Sequence, residues 1–251
     1  MNGNGMKRQG RPRFCRIFTP AAAGVQRGPR RGKTRGATTV QGKGCFGLIG
    51  ILDYGIGNVG SICNMLKKAG AQSRIVRTAD ELAACAKLIL PGVGAFDDGM
   101  DRLDGSGMRA ALDEAVRQGK PVLGICLGMQ MLGLSSEEGT RAGLGYIPFR
   151  NVRFRLSDQP ALKVPHMGWD VVTLTDEADP FVRCITDTPR YYFVHSYHAL
   201  CEDGGDALML CDYGYPFAAA VRRGNVRGTQ FHPEKSHRFG MALLQNFAEV
   251  C

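Results

Sequence analysis

Cys126, His232 and Glu234 are the residues of this chain whose types and surroundings suit nucleophilic chemistry. Cys126 lies in Pro121-Val122-Leu123-Gly124-Ile125-Cys126-Leu127-Gly128-Met129-Gln130, where an apolar run ends in Gly-Ile-Cys-Leu-Gly and a helical pattern begins. A sharp strand-to-helix turn of this kind presents a nucleophile, and its flanking glycines let backbone segments approach closely. A residue at the start of a helix also sits at the positive end of the helix dipole. The short motif alone fits a buried structural cysteine as well as a catalytic one.

The second half of the argument lies near the C-terminus, in Gly228-Thr229-Gln230-Phe231-His232-Pro233-Glu234-Lys235-Ser236. This segment follows an apolar run, Phe217 to Val221, and a Gly224-Asn225 turn. If the chain is still extended at His232, Glu234 points to the same side, because strand side chains alternate. A cysteine that attacks an amide needs an imidazole to carry protons and a third group to orient that imidazole. The His-Pro-Glu segment supplies both, and the distant Cys126 gives the pair something to act on.

The elements that must position these residues alternate between strand-like and helical patterns. Apolar runs predict strands at 48–52, 73–77, 87–90 and 122–125, with helices over 58–69, 79–84 and 106–118 between them. After about Leu144 short strands and turn residues dominate, down to a final helix from about Ser236 to Val250. The fold class this implies is α/β: an open, mostly parallel sheet with helices on both faces and a strand-rich C-terminal half. In such sheets functional residues gather at the carboxyl ends of strands. Cys126 follows one such end, Pro91-Gly92-Val93-Gly94 another and His232 a third.

The triad Cys126, His232 and Glu234 resembles that of the class I glutamine amidotransferases, which hydrolyse the side-chain amide of glutamine. Four further segments narrow the resemblance. They are Asp53-Tyr54-Gly55-Ile56-Gly57-Asn58, Pro91-Gly92-Val93-Gly94-Ala95-Phe96, Pro165-His166-Met167-Gly168-Trp169 and Tyr192-Phe193-Val194-His195-Ser196-Tyr197. Together they are similar to the glutaminase subunits of imidazole glycerol phosphate synthase, from about Leu48 to the C-terminus. The resemblance implies an oxyanion hole from Leu127 with Val93 or Gly94, and a glutamine pocket of Gln130, Glu138, His195, Ser196 and Tyr197. It also implies a heterodimer with a (β/α)₈-barrel cyclase that receives the ammonia, with Met167, Trp169, Tyr192 and Lys235 at the interface. No cofactor is implied. Two departures stand out: Asp170 follows Trp169 where the family usually has Asn, and Gly133-Leu134 stands where it usually has Phe-Glu. Other readings are a glutaminase of another ammonia-using synthase, a stand-alone cysteine hydrolase of γ-glutamyl bonds, and a catalytically dead adaptor.

Composition narrows the partners. Of 32 Lys and Arg, eleven fall in residues 1–47, ahead of the first acidic residue, Asp53. The rest of the chain carries 21 basic against 23 acidic residues, so its net charge is −2 and it makes no general case for nucleic acid. Residues 1–46 are Gly-, Arg- and Pro-rich without hydrophobic periodicity, and are expected to be a disordered basic extension of a 47–251 catalytic domain. A transit peptide, a nucleic-acid tail and a segment outside the native protein are the three readings of this leader. The absence of serine argues against the first, and the third is preferred. No run reaches membrane-spanning length. Nine cysteines without Cys-x-x-Cys spacing or a secretion signal point to reduced thiols in the cytoplasm and to no metal site. His195 and His198 likewise lack a third ligand at a convincing spacing.

Overall fold

A computed structural model of the chain describes residues 47–185 and 188–251; the expectations for residues 1–46 lie outside them. The N-terminal half runs β1 (Ile49–Leu52), α1 (Val59–Lys68), β2 (Ser73–Val76), α2 (Ala79–Ala83), β3 (Lys87–Gly92), α3 (Phe96–Gly105), α4 (Arg109–Arg117), β4 (Val122–Cys126) and α5 (Leu127–Met131). The C-terminal half follows with β5 (Ser135–Ser136), β6 (Phe149–Arg153), β7 (His166–Leu174), β8 (Arg190–His195) and β9 (Tyr197–Cys201). It closes with β10 (Ala207–Asp212), β11 (Pro216–Arg223), β12 (Val226–Thr229) and α6 (His237–Val250).

All these strands join one sheet whose main path is β2-β1-β3-β4-β12-β11-β10-β7-β8. Pairing is parallel from β2 to β12 and antiparallel from β12 onward, so the sheet is mixed, with its parallel part in the first half. The central strands are apolar on both faces because both are covered. Ile49, Ile51, Ile89, Leu123 and Ile125 pack into a core with Ile62 and Leu66 of α1 and Leu243, Leu244 and Phe247 of α6. Their alternating neighbours Leu52, Leu88, Leu90 and Val122 pack with Leu82, Phe96, Met100 and Leu112, from α2, α3 and α4. The period-two split between two cores follows directly from strand geometry.

Two helices differ from the sequence expectation. The helix expected over 106–118 begins at Arg109, because Ser106 and Gly107 form a turn in which Ser106 Oγ accepts the Met108 N–H at 3.2 Å. The preceding α3 was not anticipated. Its Asp97-Asp98-Gly99 opening reads as a loop, although Phe96, Met100 and Leu103 already have helical spacing and are buried. Ala95 provides no side-chain cap for this helix. Glu138 does so from a distance, accepting the Phe96 N–H at 2.8 Å.

Candidate active site

Strand β4 delivers Cys126 into a backbone conformation that side chains avoid, φ 55° and ψ −111°. The surrounding glycines make that turn possible. A Cβ on Gly128 would stand 1.9 Å from the Leu90 carbonyl oxygen, and one on Gly124 would stand 2.6 Å from the Gly128 carbonyl oxygen. The elbow therefore packs backbone against backbone, and Cys126 is left nearly buried at 7% exposure.

Register brings the other groups to this point. Gly92 at the end of β3 pairs with Cys126, so Val93 and Gly94 continue beside Cys126. Thr229 at the end of β12 pairs with Ile125, so Gln230 and His232 arrive from the other side. The three strand ends that the sequence marked are thus neighbours in the order β3-β4-β12.

His232 Nδ1 lies 2.7 Å from Glu234 Oε1, and both side chains are buried. The sequence argument for this pair assumed a chain still extended at His232; His232 is extended, at φ −98° and ψ 95°, but strand alternation does not continue to Glu234. β12 ends at Thr229, and Pro233–Lys235 form a single 3-10 turn that folds Glu234 back toward the imidazole. The turn is anchored by Ser236 Oγ, which donates to the His232 carbonyl at 2.6 Å and accepts the Tyr192 N–H at 3.1 Å. Burial opposes a charge on His232, but the nearby Cys126 sulfur and the hydrogen-bonded Glu234 carboxylate outweigh it and push its pKa up to about 9. No hydrogen bond of ordinary geometry reaches His232 Nε2 among the described residues, so the Cys126 contribution is electrostatic proximity rather than a formed bond.

A cavity of about 250 Å³ opens onto the elbow. Val93, Gly94, Cys126, Leu127, Gln130, Glu138, His195, Ser196, Tyr197 and His232 all line it, so every pocket and oxyanion candidate reaches one place; Glu234 stands behind His232. Pro165 and Val194 line it as well, and sequence reasoning did not assign them to it. Gln230 was also missed. It is fully buried, with its amide nitrogen 4.0 Å from Cys126 Sγ and its Oε1 accepting from Gln130 Nε2 at 3.2 Å. Gln130 Nε2 also donates to the Tyr197 carbonyl at 3.2 Å, so the side-chain group it leaves for a ligand is its carbonyl oxygen. The signal for Gln230 was its place two residues before His232.

Of the interface candidates, Met167 and Trp169 point outward from β7 with Val171, at 62%, 40% and 40% exposure. Trp169 pairs in register with Tyr192 on β8, and its ring stacks on His237 at 5.1 Å. Lys235 Nζ lies 5.6 Å from the Tyr192 ring centroid. Met167, Trp169, Tyr192 and Lys235 therefore form one apolar and cationic face beside the site. Among the described residues no group of three metal-ligating side chains lies together, and no helix is long and apolar enough to cross a membrane.

A buried thiol on a strained turn, a carboxylate-bound imidazole and a glycine loop in register are the groups that nucleophilic attack on an amide calls for. A sequence profile of the family "Glutamine amidotransferase class-I" matches residues 50–251, and the chain belongs to that family. Within it, the chain is 50% identical over 204 residues to "Imidazole glycerol phosphate synthase subunit HisH 2" of Pseudomonas aeruginosa, covering 81% of this chain and 100% of that one. It is 47% identical over 205 residues to the HisH subunit of Leptospira interrogans, with 81% and 100% coverage. In fold it resembles PurLQS from Thermotoga maritima, with TM-score 0.63, 18% identity, and 80% and 96% coverage. The glutaminase domain of Trypanosoma brucei CTPS gives TM-score 0.55, 13% identity, and 80% and 93% coverage.

Proposed function

We propose that this chain is the glutaminase subunit of an imidazole glycerol phosphate synthase, releasing ammonia from glutamine for histidine biosynthesis. The observation that carries this reading is the Cys126–His232–Glu234 set at the cavity, in a chain about half identical to HisH subunits along their full length. The Cys126 sulfur, its proton passed to His232, attacks the carboxamide carbon of glutamine. The carbonyl oxygen becomes an oxyanion met by the backbone N–H groups of Leu127 and of Val93 or Gly94. His232 then protonates the amide nitrogen, the C–N bond breaks and ammonia leaves, and a glutamyl thioester remains on Cys126. Water deprotonated by His232 attacks the thioester, which frees glutamate and restores the thiol. Glu234 orients His232 and balances its charge at each stage.

Glutamine recognition falls to Gln130, Glu138, His195, Ser196 and Tyr197. Glu138 has one oxygen engaged by the Phe96 N–H and the other available for the substrate ammonium. The face of Met167, Trp169, Tyr192 and Lys235 suits the docking of a (β/α)₈-barrel cyclase, which takes up the ammonia before it reaches solvent. Reconstitution with that cyclase tests the division of labour. In Cys126→Ala, glutamine-dependent synthesis is expected to vanish while ammonia-dependent synthesis continues. Glutamine-dependent turnover that survives the substitution sinks the proposal.

A further inference from the structure

His166 takes no part in the chemistry above, yet it is 2% exposed and both of its ring nitrogens are engaged. Its ring is sandwiched between Tyr213 at 4.0 Å and Phe193 at 4.8 Å, at interplanar angles of 26° and 23°. That clamp fixes the ring plane. Within it, Nδ1 lies 3.1 Å from His195 Nε2 and Nε2 lies 3.2 Å from Asp170 Oδ2. Rotating the ring by 180° would place carbon at both contacts. At the far end, His195 Nδ1 lies 2.9 Å from the Tyr197 carbonyl oxygen.

The chain Tyr197 carbonyl, His195, His166, Asp170 has three contacts, and each requires one proton between its heavy atoms. The carbonyl only accepts, so His195 carries its proton on Nδ1 and presents a lone pair at Nε2. His166 must then donate from Nδ1, and its Nε2 faces a carboxylate. Two neutral imidazoles supply two protons, one fewer than the chain needs. An Asn at position 170 would supply the third from its amide and never lose it; Asp170 supplies none when ionised.

We infer that Asp170 and His166 are positioning residues for His195, and that this pair binds one exchangeable proton which completes the chain from the partner-facing strand β7 to the glutamine pocket. The assignment of His195 to a glutamine pocket rests on the function proposed above; the proton count does not. Burial lowers the proton affinity of His166, and its hydrogen bond to Asp170 and that carboxylate's charge oppose the loss only in part. The proton is therefore bound in acid and lost below the ordinary histidine range. His195 stays neutral throughout, since burial holds its pKa down to about 3 against the Tyr197 hydrogen bond. When the proton leaves, the Asp170 contact is the one that opens, because Asp170 is 38% exposed and can turn to water. The other titratable groups facing the chain are His198 and His232 toward His195, Cys211 near Asp170, and the Tyr213 phenol, which donates to the Lys163 carbonyl at 2.9 Å.

The chain has five histidines, so nitrogen NMR of the full-length, ¹⁵N-histidine-labelled protein can follow His166 and His195 individually across a pH series. The expected result is that His166 passes from imidazolium to the Nδ1–H tautomer as pH rises, while His195 remains Nδ1–H. The midpoint should be highest in the unsubstituted chain, lower in Asp170→Ala, and lowest in Asp170→Asn, where the amide occupies the Nε2 lone pair. Equal midpoints in the Asp and Asn forms, or a neutral His166 with its proton on Nε2, overturns the inference. Because Asp170→Ala and Asp170→Asn perturb the site differently, failure of one to fold leaves the other comparison decisive. The titration needs no catalytic turnover. Its failure leaves the glutaminase reading intact, and a failed reconstitution leaves the titration intact.

Discussion

The two halves of the sheet hold their share of the site in different ways. The parallel half fixes Cys126 through backbone sterics, with Gly128 against Leu90 and Gly124 against Gly128. The antiparallel half and the turn after β12 hold His232, Glu234, Gln230 and His195 through side-chain hydrogen bonds between buried groups. A steric constraint tolerates no added atom but is indifferent to charge. A hydrogen-bonded network tolerates isosteric change but depends on protons and on which atom donates. Mutations that change volume and mutations that change charge should therefore separate the two halves.

The largest effect is expected in the network half. Glu234→Gln keeps the shape of the turn but removes the charge that holds the His232 proton, and glutamine turnover should fall on the order of 10⁴-fold, by analogy with other triads. Folding stability carries the same signature. The folded unsubstituted chain binds the His232 proton more tightly than the unfolded chain, whose histidine titrates near the ordinary value. That stabilisation is complete below the unfolded value and is lost as pH rises through about 9. Urea unfolding at a series of pH values should show a smaller decline in Glu234→Gln, beginning at the same unfolded-histidine value but ending at lower pH. Superimposable profiles would mean that the carboxylate does not set the proton affinity of His232.

In the steric half, Gly128→Ala adds one methyl group where the Leu90 carbonyl already stands, so β3 or α5 must move. A loss of about 3 kcal/mol is expected from overpacking of this kind. Denaturant midpoints measure it, and unlike the Glu234 effect it should not vary with pH. A pH-dependent penalty would show that the elbow is also held electrostatically.

The same contrast explains what the sequence disclosed. The elbow was legible because backbone crowding demands glycine at set positions, and apolar runs such as Val122 to Ile125 mark buried parallel strands. The Cys126, His232 and Glu234 set was legible too, although its local geometry was not. A 3-10 turn, rather than strand alternation, joins the last two. The roles of Gln230 and His166 went unread, although Gln230 stands two residues before His232, because a hydrogen-bond polarity is not written in spacing. It depends on a carbonyl, that of Tyr197, which fixes the direction of Gln130 on one side and of His195 on the other. Helix α3 went unread because its cap, Glu138, lies 42 residues from the N–H it receives.

Gln230 offers a sharper test within the network half. Gln230→Met preserves volume but leaves the Gln130 amide without its buried acceptor and removes the donor beside Cys126. An unpaired buried donor costs about 1–3 kcal/mol, so a loss of about 2 kcal/mol in stability is expected. The Michaelis constant for glutamine should rise because Gln130 is then held by the Tyr197 carbonyl alone. A double-mutant cycle with Gln130→Met should recover much of the stability, since removing both partners leaves nothing unpaired. Strict additivity would contradict a shared hydrogen bond.

The smallest effect on the isolated chain is expected where neither constraint operates. Lys235 is exposed, its ammonium lies over the Tyr192 ring, and no buried group depends on it. Lys235→Ala should change stability by less than about 0.5 kcal/mol. Yet it follows Glu234 in the same 3-10 turn, so a partner that binds Lys235 would pull on the segment that orients His232. If the cyclase docks on this face, the substitution should weaken complex formation and lower glutamine hydrolysis in the complex, while leaving hydrolysis by the isolated chain unchanged. Titration calorimetry with the cyclase, followed by glutamate release at saturating partner, separates the two. Weakened docking with full activity at saturation would place Lys235 in the interface alone. Reduced activity at saturation would mean that the partner acts on His232 through the turn, and the network half would then be the half that the partner controls.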